Sequence, residues 1–442
     1  MDRGTWMDIS VYIGEVAEHT TLDDTIGAAS WAANAGLSRV WTAQALNWDS
    51  LTQLALIGTA VPDIGLGSGV IPIPQHHPLL LAGQALTVQA AVGGRLTLGI
   101  GAGVGSMVEA RFGLPRDRPA ARMREYLAVL QPLLRGEAVD HHGETLTAVG
   151  SVKIPDAQPP RVLIAALGPA MLKIAGEQAE GTVTWMTGPR TLAGHIVPTL
   201  TRAAEAAGRP RPQVVAGIFA CLTNDEDAAR ERIGADFRLA GRVPEYRAVL
   251  DREGVAGAQD VAAVGDEAAV ARQLTALADA GVTEAAVAAI GTPAEKTRTL
   301  AFLADLAPGR GRAALSAQDR LAIHELIALH GHLADDRNDG GLSRLLTPEA
   351  VYDIRSYGLG NVVGLPAIQV LFRDRPGNQP VGHHVSNVLV DQRPDGTVAV
   401  RSKGLAVMAD GTASTCTYDD VVVRTGDGWR IARRQVRPAR TD

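Results

Sequence analysis

An α/β protein, a TIM-type (β/α)8 barrel followed by a smaller α+β domain, is what this sequence predicts. Three observations lead there. Aliphatic runs and helical stretches alternate eight times over about the first 305 residues, the count and size of a (β/α)8 barrel. A Pro/Gly/Arg-rich stretch at 307–320, APGRGRAALSAQDR, then breaks the pattern. Beyond it, a helical stretch precedes long strand-like runs separated by turn signals. The expected division is a barrel over 1–306, a linker over 307–318 and an α+β domain over 319–442. A length of 442 residues agrees with two or three domains at roughly 150 residues each.

The first part reads in order as follows. DISVYIG is a short apolar strand, and TIGAASWAANAG a helix that ends on Gly36. SRVWTA and SLTQLALIGTAV form the second pair, and IGLGSGVI leads through a Pro/His loop to the helix HPLLLAGQALTVQAAVGG. RLTLGIGAG precedes PAARMREYLAVLQPLLRG, and a hairpin-like insertion falls near HGETLTAVGSVKIP. RVLIAALG with GPAMLKIAGEQA, and GTVTWMTG with LAGHIVPTLTRAAEAAG, follow. QVVAGIFACLTN opens a longer helical region from Asp225 to Gly281, and TEAAVAAIG with TPAEKTRTLAFLADL closes the series. Continuous aliphatic strands suit a parallel sheet buried on both faces. A doubly wound open sheet is the alternative; eight units without an obvious reversal favour the barrel.

Composition narrows the class. Hydrophobic residues make up 46% and charged residues 20%, with 48 Gly and 24 Pro, which excludes a collagen, a coiled coil or a long disordered chain. Aromatic residues are only 4%, so the core is expected to be aliphatic. A net charge of −6 gives no pull toward nucleic acid or anionic membrane. Cys221 and Cys416 make no disulfide framework, which points to a reducing cytoplasm. MDRGTWMDIS has no continuous apolar core, so no export signal is expected. The uncharged stretch between Asp63 and Arg95 contains Pro72, Pro74, Pro78, His76 and His77, and reads as soluble strand, loop and helix rather than a membrane span.

Active sites of such barrels lie in the loops after the strands, and there glycines cluster: Gly65, Gly67 and Gly69; then Gly99, Gly101, Gly103 and Gly105; then Gly168 ahead of Pro169. Backbone N–H groups at such places can hold phosphate or ribityl oxygens. Tight barrel turns would explain one cluster; clusters at successive strand ends point to a phosphorylated cofactor. The G-x-G-x-x-G dinucleotide fingerprint is not met.

The runs GLGSGVIPIPQHHPLLLAGQALTVQAAVGGRLTLGIGAGV, FGLPRDRPAARMREYLAVLQPLLRG and VLIAALGPAMLKIAGEQAEGTVTW resemble the bacterial luciferase-like oxidoreductases over about residues 8–305. The likeness is closest to the branch that uses the deazaflavin coenzyme F420 rather than FMN. It implies a non-prolyl cis peptide at Gly69–Val70 beneath the deazaflavin ring. It also implies that Gly101, Ala102, Gly103 and Gly105 lie near the cofactor side chain, and that Gly168, Pro169, Ala170 and Met171 meet its phosphate. Thr184 and Trp185 would lie at the barrel mouth. Sugar-phosphate dehydrogenases of that family carry an acidic residue and His after the second strand and Glu after the fourth; here those places hold Gln44, Ala45 and Val104. Sugar-phosphate oxidation is therefore not expected, and Gln44, Asn47 and Trp48 are the candidate substrate contacts. His76, His77, His141 and His142 lack the further ligands that a metal needs, so no metal is expected.

In the second part, HELIALH invites a zinc reading, but His324 and His330 are six apart, about 600° around a helix, and do not form H-E-x-x-H. In GHHVSNVLVD, neighbouring strand side chains point to opposite faces, so only one of His383 and His384 can enter the domain interior. LADDRNDGGLSRLLTPEAVYD, HHVSNVLV and CTYDDVVVRTGDGWRIARRQV resemble the SnoaL-like polyketide cyclase group of the nuclear transport factor 2-like cone fold, over about 315–437. The resemblance implies Asp336 and His384 as acid–base residues, with Tyr352, Asn387 and Tyr418 in the pocket; such a pair can move a proton beside a carbonyl. The arginines Arg433, Arg434, Arg437 and Arg440 are expected to be solvated on an edge strand.

The expected function is an F420-dependent oxidoreductase that transfers a hydride between reduced deazaflavin and an organic, polyketide-like or other secondary-metabolite substrate. The fused domain would isomerise, dehydrate or cyclise the product. The alternative is an FMN-dependent monooxygenase whose second domain is a dimerisation or ligand-binding module. A cytoplasmic homodimer acting on a small molecule, without nucleic acid or membrane partners, is expected.

Overall fold

The computed structural model describes residues 7–14, 20–44, 46–115, 117–238, 241, 243–307, 315–374, 380–392, 397–425 and 427–438. The chain divides into two compact units, 1–310 and 311–442.

The first unit begins with β1 (Asp8–Tyr12), α1 (Leu22–Asn34), β2 (Arg39–Thr42), α2 (Ser50–Ala60), β3 (Gly65–Ser68), β4 (Ile71–Pro72), α3 (Pro78–Ala91) and β5 (Leu96–Gly101). Next come α4 (Gly105–Phe112), α5 (Pro119–Leu134), a hairpin of β6 (Ala138–His142) and β7 (Thr147–Ser151), then β8 (Arg161–Ala165), α6 (Pro169–Gln178) and β9 (Gly181–Trp185). The unit ends with α7 (Pro189–Thr191), α8 (Val197–Ala206), β10 (Gln213–Leu222), α9 (Glu226–Asp236), α10 (Pro244–Glu253), β11 (Ala263–Gly265), α11 (Glu267–Asp279), β12 (Glu284–Ala289) and α12 (Pro293–Leu306).

Strands β1, β2, β3, β5, β8, β9, β10 and β12 pair in parallel around a closed ring, which β9 completes by pairing with β10. Closure removes both sheet edges and leaves the strands buried on two faces, as β5 (Leu96–Gly101) is along its whole length. Helix starts follow their cap chemistry: Thr21 and Asp24 close a capping box on α1, and Thr292 and Glu295 another on α12. The expected helical region from Asp225 to Gly281 is interrupted by β11, which pairs with β10 outside the ring. Three apolar residues, AVG, are too short to show a period in the sequence.

The lower end of the barrel is held by a buried polar cluster. Glu284 accepts from Trp41 Nε1 at 2.8 Å and from Gln213 Nε2 at 3.0 Å, and faces Arg39 Nε at 3.4 Å. Aromatic side chains, scarce overall, gather toward the opposite end: Tyr12, Trp185, Phe219 and Phe237 form a chain of ring contacts with centroids 4.1–5.0 Å apart.

The second unit opens with α13 (Ala317–Asp335), whose first turn is capped by Ser316. It therefore starts two residues inside the stretch read as linker. There follow β13 (Leu346–Asp353), β14 (Asn361–Val363), α14 (Leu365–Arg373) and the long strands β15 (Pro380–Gln392), β16 (Val398–Met408), β17 (Ala413–Thr425) and β18 (Gly428–Pro438). The sheet order is β14-β13-β18-β17-β16-β15, antiparallel except for the parallel β13–β18 pair. β18 is thus central, and the expectation of solvated edge arginines fails at Arg434. That side chain is fully buried and makes a two-pronged ion pair with buried Asp420, Nε to Oδ1 at 2.8 Å and Nη2 to Oδ2 at 2.7 Å. Arg433 and Arg437 are half-exposed and pair with Asp353 and Asp419; Arg440 lies outside the described residues.

Candidate active site

The barrel's large cavity, about 1020 Å³, opens at the C-terminal ends of the strands, where enzymes of this architecture place their chemistry. Its floor is backbone. The Gly69–Val70 peptide is cis. A Cβ at Gly69 would collide with the Tyr12 hydroxyl, and one at Gly101 would lie 2.9 Å from Val70 Cγ2. Gly103 has a φ of +72°, where other residues are strained. The N-terminus of α6, with Gly168 as cap and Pro169 in the first turn, opens on the same cavity.

Of the residues expected to meet the cofactor, Gly69, Val70, Gly101, Ala102, Gly103, Gly105, Gly168, Pro169 and Met171 line this cavity. Ala170 does not: it is exposed in the first turn of α6. Thr184, Trp185 and Gln44 also line it, although Gln44 Oε1 is engaged by the Ser50 N–H at 2.9 Å. Asn47 and Trp48 lie on an exposed loop away from the cavity wall, with Trp48 Nε1 donating to the Thr20 carbonyl at 3.1 Å. Ala45 lies outside the described residues.

The sequence reading missed several wall residues. Tyr12, at the end of β1, looked like one more strand residue. His195 enters from a π-helical turn, Leu192–Ile196, a geometry that often marks functional sites. Its Nε2 meets the Leu167 carbonyl at 3.1 Å. Partial burial pulls the His195 pKa below its ordinary value, against that hydrogen bond, which favours the neutral ring near pH 7. Arg111, Arg122 and Arg252 also line the cavity, with Asp117 and Glu245 as counter-charges. A cavity of this size, glycine-floored, with a helix N-terminus and guanidinium groups at its mouth, fits a flat ring bearing a phosphorylated chain.

In the second unit the Asp and His that meet each lie one residue earlier than the pair expected from the sequence. His383 Nδ1 lies 2.6 Å from Asp335 Oδ1, and the His383 N–H donates to the same carboxylate at 3.0 Å. Asp336 is the exposed C-cap of α13, and His384 is exposed on the other face of β15. Gly331 sets this register: a Cβ there would collide with the His383 carbonyl at 2.6 Å, so the helix touches β15 at Gly331, and Asp335 follows one turn later on the same stripe. Burial opposes ionisation of Asp335, but the His383 ring and backbone hydrogen bonds outweigh it and hold the carboxyl below its ordinary range.

Behind the pair, buried His330 contacts the His383, Tyr418 and Phe372 rings, with the Tyr418 hydroxyl 3.4 Å from His330 Nε2. Tyr352 packs edge-on to Phe372, and Arg434 stacks over Tyr418 at 4.5 Å. Tyr352 and Tyr418 are therefore interior, whereas Asn387 sits exposed at a β-bulge with a φ of +52°. Among the described residues no cluster of three or more His, Cys, Asp or Glu could hold a metal, and no helix is long and apolar enough to cross a membrane.

Residues 1–310 match the family model for the luciferase-like monooxygenases, and residues 316–435 match that for the SnoaL-like domain. The chain belongs to the luciferase-like monooxygenase family and carries a C-terminal SnoaL-like domain. It is 31% identical over 233 residues to 5,10-methylenetetrahydromethanopterin reductase of Archaeoglobus fulgidus, covering 51% of this chain and 68% of that one. Among solved structures, an F420-dependent secondary alcohol dehydrogenase in complex with an F420–acetone adduct superposes with a TM-score of 0.57 at 16% identity, over 68% of this chain and 98% of the other. The FMN-bound oxygenating constituent of 3,6-diketocamphane monooxygenase from Pseudomonas putida superposes at 0.56 and 17% identity, over 69% and 98%. Likeness at these identities extends to the barrel fold. The protein is an oxidoreductase of this class.

Proposed function

We propose that the barrel binds coenzyme F420 and acts on a neutral organic substrate. The observation that carries this reading is the glycine-floored cavity whose mouth bears Arg111, Arg122 and Arg252 against Asp117 and Glu245. A deazaflavin chain continues beyond its phosphate into carboxylates, which suits an excess of guanidinium groups; FMN ends at its phosphate. When bound, the deazaflavin supplies two-electron hydride chemistry. The chain's own part is to seat the ring against Gly69, Val70 and Gly101, to anchor phosphate at Gly168 and Pro169, and to exclude water with Trp185 and its aromatic neighbours. Gln44 and Val104 stand where sugar-phosphate dehydrogenases carry ionisable groups, so the reading excludes that substrate class.

For the second unit the proposal is acid–base chemistry by His383, oriented by Asp335, on the product of the barrel: isomerisation, dehydration or ring closure. Product analysis with Asp335→Asn and His383→Ala tests it; an unchanged product pattern makes the domain a binding or assembly module. Titration with F420 and with FMN tests the barrel reading, and tight FMN binding with oxygen consumption replaces it with monooxygenation. A homodimer in the cytoplasm belongs to the same proposal.

A further inference from the structure

Tyr12 is 9% exposed, and its ring stands between the large cavity and a smaller one of about 430 Å³. Its hydroxyl end lies against Gly69, on the floor of the large cavity. It makes no hydrogen bond with any described residue, and although most of the ring is buried the hydroxyl oxygen itself is open to the cavity, where a ligand can reach it. Among its polar neighbours on the cavity wall, Gln44 is engaged by Ser50 and Thr184 Oγ1 by the Val215 carbonyl at 3.5 Å, while Gln75 Oε1 is a buried acceptor without a partner and so cannot serve as a donor. Of the ionisable lining groups Arg111, Glu245 and Arg252 are exposed, whereas Arg122 and His195 are half-buried, His195 with its pKa lowered so that the neutral ring is favoured. Beside Tyr12 the wall is aromatic, with the Trp185 ring edge-on at 4.9 Å.

We propose that the Tyr12 hydroxyl is the polar anchor of the substrate pocket, donating a hydrogen bond to the carbonyl oxygen of a neutral, ring-bearing substrate. This rests on the reading of the barrel as a redox site and specifies its substrate class. Burial pushes the Tyr12 pKa up, so the group keeps its proton at physiological pH and acts as a donor; a neutral acceptor is its complement. Aromatic walls favour a ring, and an uncharged inner wall disfavours an anion or cation. Tyr246 on α10 is a second phenol lining the cavity, half-buried, without a hydrogen bond to a described residue and close enough to Tyr12 to add to the upward push on its pKa.

The test uses the full chain without cofactor and two nearly isosteric probes, 2-acetylnaphthalene and 2-isopropenylnaphthalene, measured by equilibrium dialysis. Tyr12→Phe keeps the ring and removes the donor. The ketone is expected to bind about 3- to 10-fold more weakly to Tyr12→Phe than to the wild type, with the hydrocarbon unchanged. Tyr12→Leu is expected to weaken both. Equal losses for the two probes in Tyr12→Phe, no loss for either, or no binding of the ketone to the wild type overturns the proposal. Failure of deazaflavin to bind would remove the cofactor reading yet leave this contrast intact, so the two outcomes are distinguishable.

Discussion

His383 and Asp335 are joined twice, by ring Nδ1 at 2.6 Å and by backbone N–H at 3.0 Å, so one carboxylate fixes both the tautomer and the strand position of the histidine. Because the folded-state pKa of Asp335 is lowered, its contribution to stability is complete above the ordinary carboxylate range and lost as pH falls through the folded value. Asp335→Asn is expected to cost about 1 kcal/mol at pH 7, from partly exposed charge-assisted hydrogen bonds. Urea midpoints of wild type and variant should converge as pH falls below about 4. A constant difference across that range would contradict the assignment.

Arg434 and Asp420 form an ion pair with both side chains 0% exposed, in the centre of the second sheet. Removing one partner leaves a buried, uncompensated charge, so Asp420→Ala is expected to destabilise the second unit by about 3–5 kcal/mol. Replacing both with apolar residues, Asp420→Leu with Arg434→Met, should recover most of that loss. Thermal melts of the three proteins provide the measurement.

Gly101 is required by contact rather than by torsion: a Cβ there meets Val70 at 2.9 Å and Ala165 at 3.3 Å. Gly101→Ala is therefore expected to push Val70 into the cavity and weaken deazaflavin binding about 10-fold or more, with little change in melting temperature. Binding as tight as in the wild type would show that the Val70 face does not carry the cofactor.

Glu125 on α5 ties the β6–β7 turn to the barrel. Its carboxylate accepts from Thr145 Oγ1 at 2.7 Å and from the N–H groups of Glu144, Thr145 and Leu146 at 2.9–3.2 Å. Burial opposes ionisation, but these bonds outweigh it and hold its pKa at about 2. Since that value is lowered, the tether is complete above the ordinary glutamate value and lost as pH falls toward 2. Protection factors of the 144–146 amides, each taken relative to the intrinsic exchange rate at the same pH, should fall over that window in the wild type, and should already be low at pH 7 in Glu125→Ala.

The parts that repetition or local chemistry encodes were legible in the sequence. Parallel buried strands read as aliphatic runs, and the glycines at strand ends marked the cavity before its shape was known. What escaped depends on tertiary approach. The offset from Asp336 and His384 to Asp335 and His383 is set by where Gly331 lets the helix touch β15, which no local pattern records. Arg434 looked like a terminal surface residue because the parallel β13–β18 pairing that buries it joins residues about 80 apart. His195 reaches the cavity only through a π turn, and Tyr12 through its position at the end of a closed ring.

One titration distinguishes a deazaflavin enzyme from a flavin enzyme directly. Purified protein, stripped of bound ligand, is titrated in parallel with F420 and with FMN, and binding is followed by the absorbance of each ring. Saturable F420 binding at low micromolar concentration, with FMN at least about 10-fold weaker and no oxygen consumed on reduction, is the predicted result. Tight FMN binding with oxygen uptake, and no saturation by F420, would contradict it.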